Sequence, residues 1–189
     1  TRRSSDLVDV LLNTEGKTIN TVEGELELVS DSQSYEVVEF LLGGSDFTLW
    51  TERPQIVKSG STTYIKFTGG TPSGLNKANA LVMKIAMRAN DANTVEIKPL
   101  NAKVFLHDGA GTSKTASVRP LSLRIVEASP DEVVQDALRD IIALDNNPPE
   151  PFVIELGRDA ALFDGKWFVS FFAVDNESGI AYYEVKEGD

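Results

Sequence analysis

The chain is expected to be mainly β, a sandwich of the jelly-roll type, on three observations. Apolar and polar residues alternate with period two through much of residues 1–126, the alternating runs are short, and clusters of Gly, Asn, Asp and Ser separate them. No convincing helical spacing occurs before residue 127, so about nine short strands are left to build the domain.

Taken in order, the predicted strands are residues 7–12, 22–28, 35–41, 47–50, 63–68, 81–88, 94–98, 102–106 and 121–125. In 22–28 Val22, Gly24, Leu26 and Leu28 face one way, and Glu23, Glu25 and Glu27 the other. In 81–88 the stripe is Leu81, Met83, Ile85 and Met87, which predicts a half-buried strand. Gly69-Gly70-Thr71-Pro72-Ser73-Gly74 lacks the lysine and following helix of a phosphate loop and is expected to be a flexible turn.

The pattern changes at residue 127. Ser129-Pro130-Asp131-Glu132 is a capping box with proline at the first helical position, and Val134, Ala137, Leu138, Ile141 and Ile142 recur at helical spacing. One short amphipathic helix is predicted, ending near Asp145, where Asn146-Asn147-Pro148-Pro149-Glu150-Pro151 removes backbone donors and favours extended chain. Three further strands are expected at 152–156, 166–174 and 181–185, the middle one apolar on nearly both faces. Three strands are less than half of a usual sandwich, so the tail is expected to be a partial module. The divisions are therefore 1–126, 127–151 and 152–189.

Charge follows the same boundary. Residues 1–126 hold 14 acids and 14 bases, whereas 127–189 hold 15 acids and 4 bases, which is the whole net charge of −11. A polyanionic partner recruits Lys and Arg, so nucleic acid and anionic lipid are not expected partners. No apolar run approaches the roughly 18 residues that span a bilayer, so no membrane insertion is expected. No hydrophobic signal region follows Arg2 and Arg3, and any leader is expected to have been removed. The absence of cysteine excludes disulfides, thiolate metal sites and cysteine nucleophiles.

Five segments in order carry a family likeness. Asn13-Thr14-Glu15-Gly16 with Ile19-Asn20-Thr21-Val22-Glu23-Gly24, Phe47-Thr48-Leu49-Trp50 with Pro54, Phe67-Thr68-Gly69-Gly70-Thr71-Pro72 and Asp108-Gly109-Ala110-Gly111-Thr112 together resemble the bacterial cohesin-domain pattern over roughly residues 5–126. Leu162-Phe163-Asp164-Gly165-Lys166 and Ser178-Gly179-Ile180-Ala181-Tyr182-Tyr183-Glu184-Val185 are similar to the start of a bacterial Ig-like repeat. The resemblance implies a cohesin-like jelly roll that binds a protein through a sheet face without catalysis, in a surface or secreted protein. The same superfamily contains carbohydrate-binding modules, so sugar binding is the alternative expectation.

Candidate sites follow from residue chemistry. His107, the sole histidine, lies beside Asp108 in a turn with no nucleophile near it in sequence, so no catalytic residue is expected. Asp108, Asp175 and Glu177 lie in loops that could offer oxygens to calcium, although neither loop matches the EF-hand spacing, and no other cofactor is implied. Glu23, Glu25 and Glu27 stay solvated or meet a basic partner. Trp50, Trp167, Tyr64, Tyr182 and Tyr183 could stack on sugars, although burial is expected for Trp50. The expected partner surface is Trp167, Phe168, Phe172, Tyr182, Tyr183 and Val185. These residues point to an extracellular or cell-surface module for protein binding, adhesion or self-assembly, including strand addition to a second copy.

Overall fold

The computed structural model describes residues 5–30, 35–60, 62–89, 93–125, 137–158, 163–171, 173–175, 177–180 and 182–186. Ten strands lie before the helix: β1 (Ser5–Leu12), β2 (Ile19–Ser30), β3 (Tyr35–Leu41), β4 (Leu49–Ser59), β5 (Thr62–Leu75), β6 (Ala80–Ala89), β7 (Asn93–Pro99), β8 (Lys103–Leu106), β9 (Ser113–Thr115) and β10 (Leu121–Ile125). They form two antiparallel sheets, a three-stranded one ordered β1-β6-β3 and a seven-stranded one ordered β10-β7-β2-β5-β4, with β8 on β2 and β9 on β8. The helix α1 (Ala137–Leu144) and a two-stranded hairpin of β11 (Glu155–Arg158) and β12 (Trp167–Ser170), with a 3-10 turn at Phe163–Gly165 before β12, complete the described elements.

The core lies between the sheets, where period-two alternation delivers Val22, Leu26 and Leu28 from β2, Ile65 and Phe67 from β5, Met83 and Ile85 from β6, and Val95 and Ile97 from β7. Glycine at 24 is required here because the Phe67 ring occupies the space a Cβ would take. On the opposite face of β2, Glu25 meets Lys66 at 3.4 Å and accepts a hydrogen bond from Asn101 at 3.2 Å. Glu27 lies opposite Lys98 and Tyr64, and Glu23 opposite Lys103 and Thr68. The acidic row therefore meets basic neighbours within its own sheet.

Several expectations change. The 69–74 turn is strand, part of β5, because Gly69 and Gly70 are paired on both sides, with Val22 and Thr21 of β2 and with Trp50 and Leu49 of β4. Two ladders there outweigh the poor strand propensity of glycine. The strand placed at 47–50 begins only at Leu49 and continues to Ser59, with Pro54 tolerated because β4 is an edge strand. β6 is buried on both faces rather than half-buried. Its Ala86 packs outward with Leu7, Val38 and Leu41 beneath Leu138 and Ile141 of α1, which is where the helix buries its stripe. The helix ends at Leu144, one residue before Asp145; Ser129, Pro130, Asp131, Glu132 and Val134 lie outside the described residues.

The tail departs furthest. β11 begins at Glu155, and β12 ends at Ser170 because Phe171 turns into an aromatic group with Phe152 and Tyr183, at centroid distances of 5.8 and 5.2 Å. The strand expected at 181–185 does not form over the described residues 182–185. Instead the Tyr183 hydroxyl accepts the Ala173 amide at 3.0 Å. The loop after β12 packs on the sandwich: Glu177 and Gly179 abut Gly43, and Arg53 Nη2 donates to the Ile180 carbonyl at 2.7 Å.

Candidate binding surface

The β11–β12 hairpin owes its shape to local chemistry. Pro148, Pro149 and Pro151 keep the approach extended, and the reversal uses Asp164 and Gly165 at positive φ of 56° and 70°. Arg158 Nε donates to the Gly165 carbonyl at 2.8 Å and so closes the turn. Gly157 is needed because the ring of Phe168, its cross-strand partner, fills the space above it.

Register then sorts the side chains. Leu156 pairs with Val169, and Arg158 with Trp167, on one face of the hairpin. That face is open: Leu156 is 66%, Val169 51% and Trp167 64% exposed. The Arg158 guanidinium lies 5.7 Å from the Trp167 ring centroid, close enough for a cation–π contact. Val153, Ile154, Tyr182 and Val185 are also exposed. Several apolar side chains exposed on one face mark an interaction site more often than isolated exposed residues do. Among the described residues β11 pairs only with β12, so each strand keeps an unpaired edge.

Of the six residues expected to contact a partner, Trp167, Tyr182, Tyr183 and Val185 are exposed, whereas Phe168 is half-buried over Gly157. The exposed Tyr183 also packs on Phe171 and accepts the Ala173 amide with its hydroxyl, and Phe172 lies outside the described residues. Val153, Ile154, Leu156 and Val169 were not among the expected contacts. The apolar run Phe152-Val153-Ile154 was legible, but its exposure depends on what the rest of the chain leaves uncovered.

The calcium candidates divide. Asp175 and Glu177 converge with Asp145, their carboxylate oxygens within 4.8 Å of one another, while Asp108 does not join this group. Asp108 caps its own turn, accepting the Ala110 amide at 2.9 Å, and the Thr112 hydroxyl holds its carboxyl below the usual range. Three carboxylates are a hard-oxygen set suited to a divalent cation. Each of them already accepts hydrogen bonds: Asp175 from the amides of Glu177 and Gly179 at 3.0 and 2.9 Å, Glu177 from Asn147 Nδ2 at 2.9 Å, and Asp145 from the Ser178 hydroxyl and amide and the Asn147 amide. The group is a clasp between the end of α1 and the loop seated on Gly43. Asp145 closes the predicted helix, and its sequence context carries no sign of residues thirty positions later.

The clasp is expected to loosen in acid. The Ser178 hydroxyl holds the Asp145 carboxyl below its ordinary value against desolvation, and the Asn147 and Ser178 amides add smaller lowering contributions. A depressed folded value means the stabilisation is present above the unfolded pKa of about 3.9 and is lost as pH falls through the lower folded value. The protection of the Ser178 and Asn147 amides from exchange, relative to their intrinsic rates, is expected to fall below about pH 4, and Asp145→Asn to remove most of that pH dependence.

Elsewhere, Trp50 is half-buried with its ring over Gly69 and packed on the core, so it offers no open sugar platform. Tyr64 is half-buried, and His107 is an exposed loop residue whose amide donates to the Thr18 carbonyl at 3.0 Å. No family model matches the chain, and no curated protein matches it. Among solved structures it is similar to a non-cellulosomal cohesin from the hyperthermophilic archaeon Archaeoglobus fulgidus, with 15% identity and a TM-score of 0.47 over 67% of this chain and 83% of that one. It is also similar to a cohesin module of a family 33 glycoside hydrolase from Clostridium perfringens, with 7% identity and a TM-score of 0.46 over 66% of this chain and 98% of that one.

Proposed function

We propose that this chain is a non-enzymatic protein-binding module of a surface or secreted protein, and that its C-terminal hairpin engages a second copy of the chain. The observation that carries the reading is the single exposed face formed by Leu156, Val169 and Trp167 beside unpaired strand edges. Burying such side chains contributes about 1.5–3 kcal/mol each, enough for a few of them to drive association. The ordered set of cohesin-like segments in residues 5–126 supports a binding module in the same direction.

Light scattering after size exclusion tests this from micromolar to millimolar concentration. The mass is expected to grow with concentration, and Leu156→Ser with Trp167→Ser to abolish that growth while leaving the circular dichroism unchanged. A monomer at every concentration, or association indifferent to the double substitution, overturns the reading.

A further inference from the structure

A two-stranded hairpin is marginal in water, and one with an open apolar face is completed by further strands. The β11–β12 hairpin offers two edges for such strands, and they differ. β11 carries Glu155 and Arg158 within its four residues and follows Pro148, Pro149 and Pro151, and charges and prolines of this kind keep an edge from pairing. β12 reads Trp-Phe-Val-Ser and carries no charge. It lies within residues 165–174, the longest stretch of the acidic tail without a carboxylate, where Lys166 is the sole charged residue. The blunted edge is β11, and the edge open to a partner is β12.

The strand that fits this edge is β12 itself. Opposite side chains of an antiparallel pair share a face, and a two-fold axis normal to the sheet keeps each side chain on its own face, so opposite residues must differ by an even number of positions. A pair centred on residue 168 meets this condition: Trp167 of each copy lies opposite Val169 of the other, and Lys166 opposite Ser170. Trp167 and Val169 are exposed and share the open face with Leu156 and Arg158. Leu156 and Val169 of one copy therefore continue into Trp167 and Arg158 of the other, twice over, with an aromatic against a β-branched side chain at the middle of each row. The two Arg158 charges stand at opposite ends, and no like charges face each other. Centring on residue 167 sets Lys166 against Phe168, and centring on residue 169 sets Trp167 against Phe171, which has left the strand for the aromatic group.

We infer that β12 pairs antiparallel with β12 of a second copy, in the register centred on residue 168, giving a four-stranded sheet ordered β11-β12-β12-β11. This rests on the proposed self-association and adds its edge, its register and its stoichiometry. The contact is isologous, so both copies use the same edge and association closes at two chains. The outer edges that remain are the charged β11 strands.

The lack of native cysteine lets disulfide trapping read the register. Lys166→Cys and Ser170→Cys, both at exposed positions, are made in separate full-length chains, mixed and oxidised. Opposite residues lie roughly 4.5–5.5 Å apart, within disulfide reach, whereas two copies of the same position lie more than about 13 Å apart. The mixed pair is expected to cross-link in preference to either chain alone, and a chain carrying both cysteines to give a product that stops at two chains. Ser170→Lys, which sets a second positive charge against Lys166, is expected to weaken the dimer about tenfold, and Lys166→Glu added in the same chain to restore it. A mixture that does not cross-link while association still depends on Leu156 and Trp167, or a mass that climbs past two chains without a plateau, overturns the edge pairing and leaves the proposed function standing. A monomer at every concentration overturns both.

Discussion

Phe47→Ala is expected to lower the stability of the sandwich by about 3–5 kcal/mol, a large share of the roughly 5–15 kcal/mol that a domain possesses. Phe47 is 1% exposed and is among the largest fully buried side chains. Its loop cannot follow the loss, because both preceding residues are tied to β6. The Ser45 hydroxyl donates to the Val82 carbonyl at 2.6 Å, and Asp46 accepts the Leu81 amide at 2.7 Å while pairing with Lys77 at 2.9 Å. The Ser45 oxygen also accepts the Phe47 amide at 3.0 Å. With the backbone pinned, removing the ring leaves a cavity rather than a collapsed site. Thermal unfolding should drop by on the order of 10 °C, whereas Leu49→Ala, two residues on and exposed, should change stability by less than about 0.5 kcal/mol. A shift for Phe47→Ala no larger than that of Leu49→Ala would show that the ring is not part of the packed core.

Gly43→Val is expected to release the tail loop and spare the sandwich. A Cβ at residue 43 would overlap the Glu177 carbonyl and meet the Gly179 amide nitrogen at 2.8 Å. These are backbone atoms, so no rotamer change relieves the overlap, and strain of about 1–3 kcal/mol falls on a contact far weaker than the core. Arg53 would lose its hold on Ile180, and the Asp145, Asp175 and Glu177 clasp would lose its seat. Amide exchange at Glu177, Ser178 and Gly179 should rise and protease should cut the tail sooner, while the main unfolding transition stays in place. Unchanged exchange at those amides would mean that the loop is held by something other than its seat on Gly43.

Much of the sandwich was legible because alternation is a local property. Residues 35–41 and 121–125 match β3 and β10 in full, and 7–12 and 94–98 lie within β1 and β7 with only end residues added. Where pairing overrides propensity, the reading failed. The glycine pair at 69 and 70 looks like a turn in isolation but is held as strand by neighbours on both sides. Residues 51–59 show weak alternation around Pro54, which an edge strand accepts and a central strand would not. β9, only three residues long, has no periodicity to detect. The tail strands were overextended because aromatic runs suit both a strand and an aromatic cluster, and Phe171 and Tyr183 form the cluster.

The linear order of side chains was sufficient for the mainly β character, the end of the helix, the shift from neutral to acidic charge at residue 127 and the lack of cysteine chemistry, since each depends on near neighbours or on composition. Which face of β6 the helix covers, the meeting of Asp145 with Asp175 and Glu177, and the exposure of Leu156 beside Trp167 all depend on contacts between distant residues. Those contacts are chosen by competition among all apolar surfaces of the chain for burial, and periodicity within one segment holds no record of that competition.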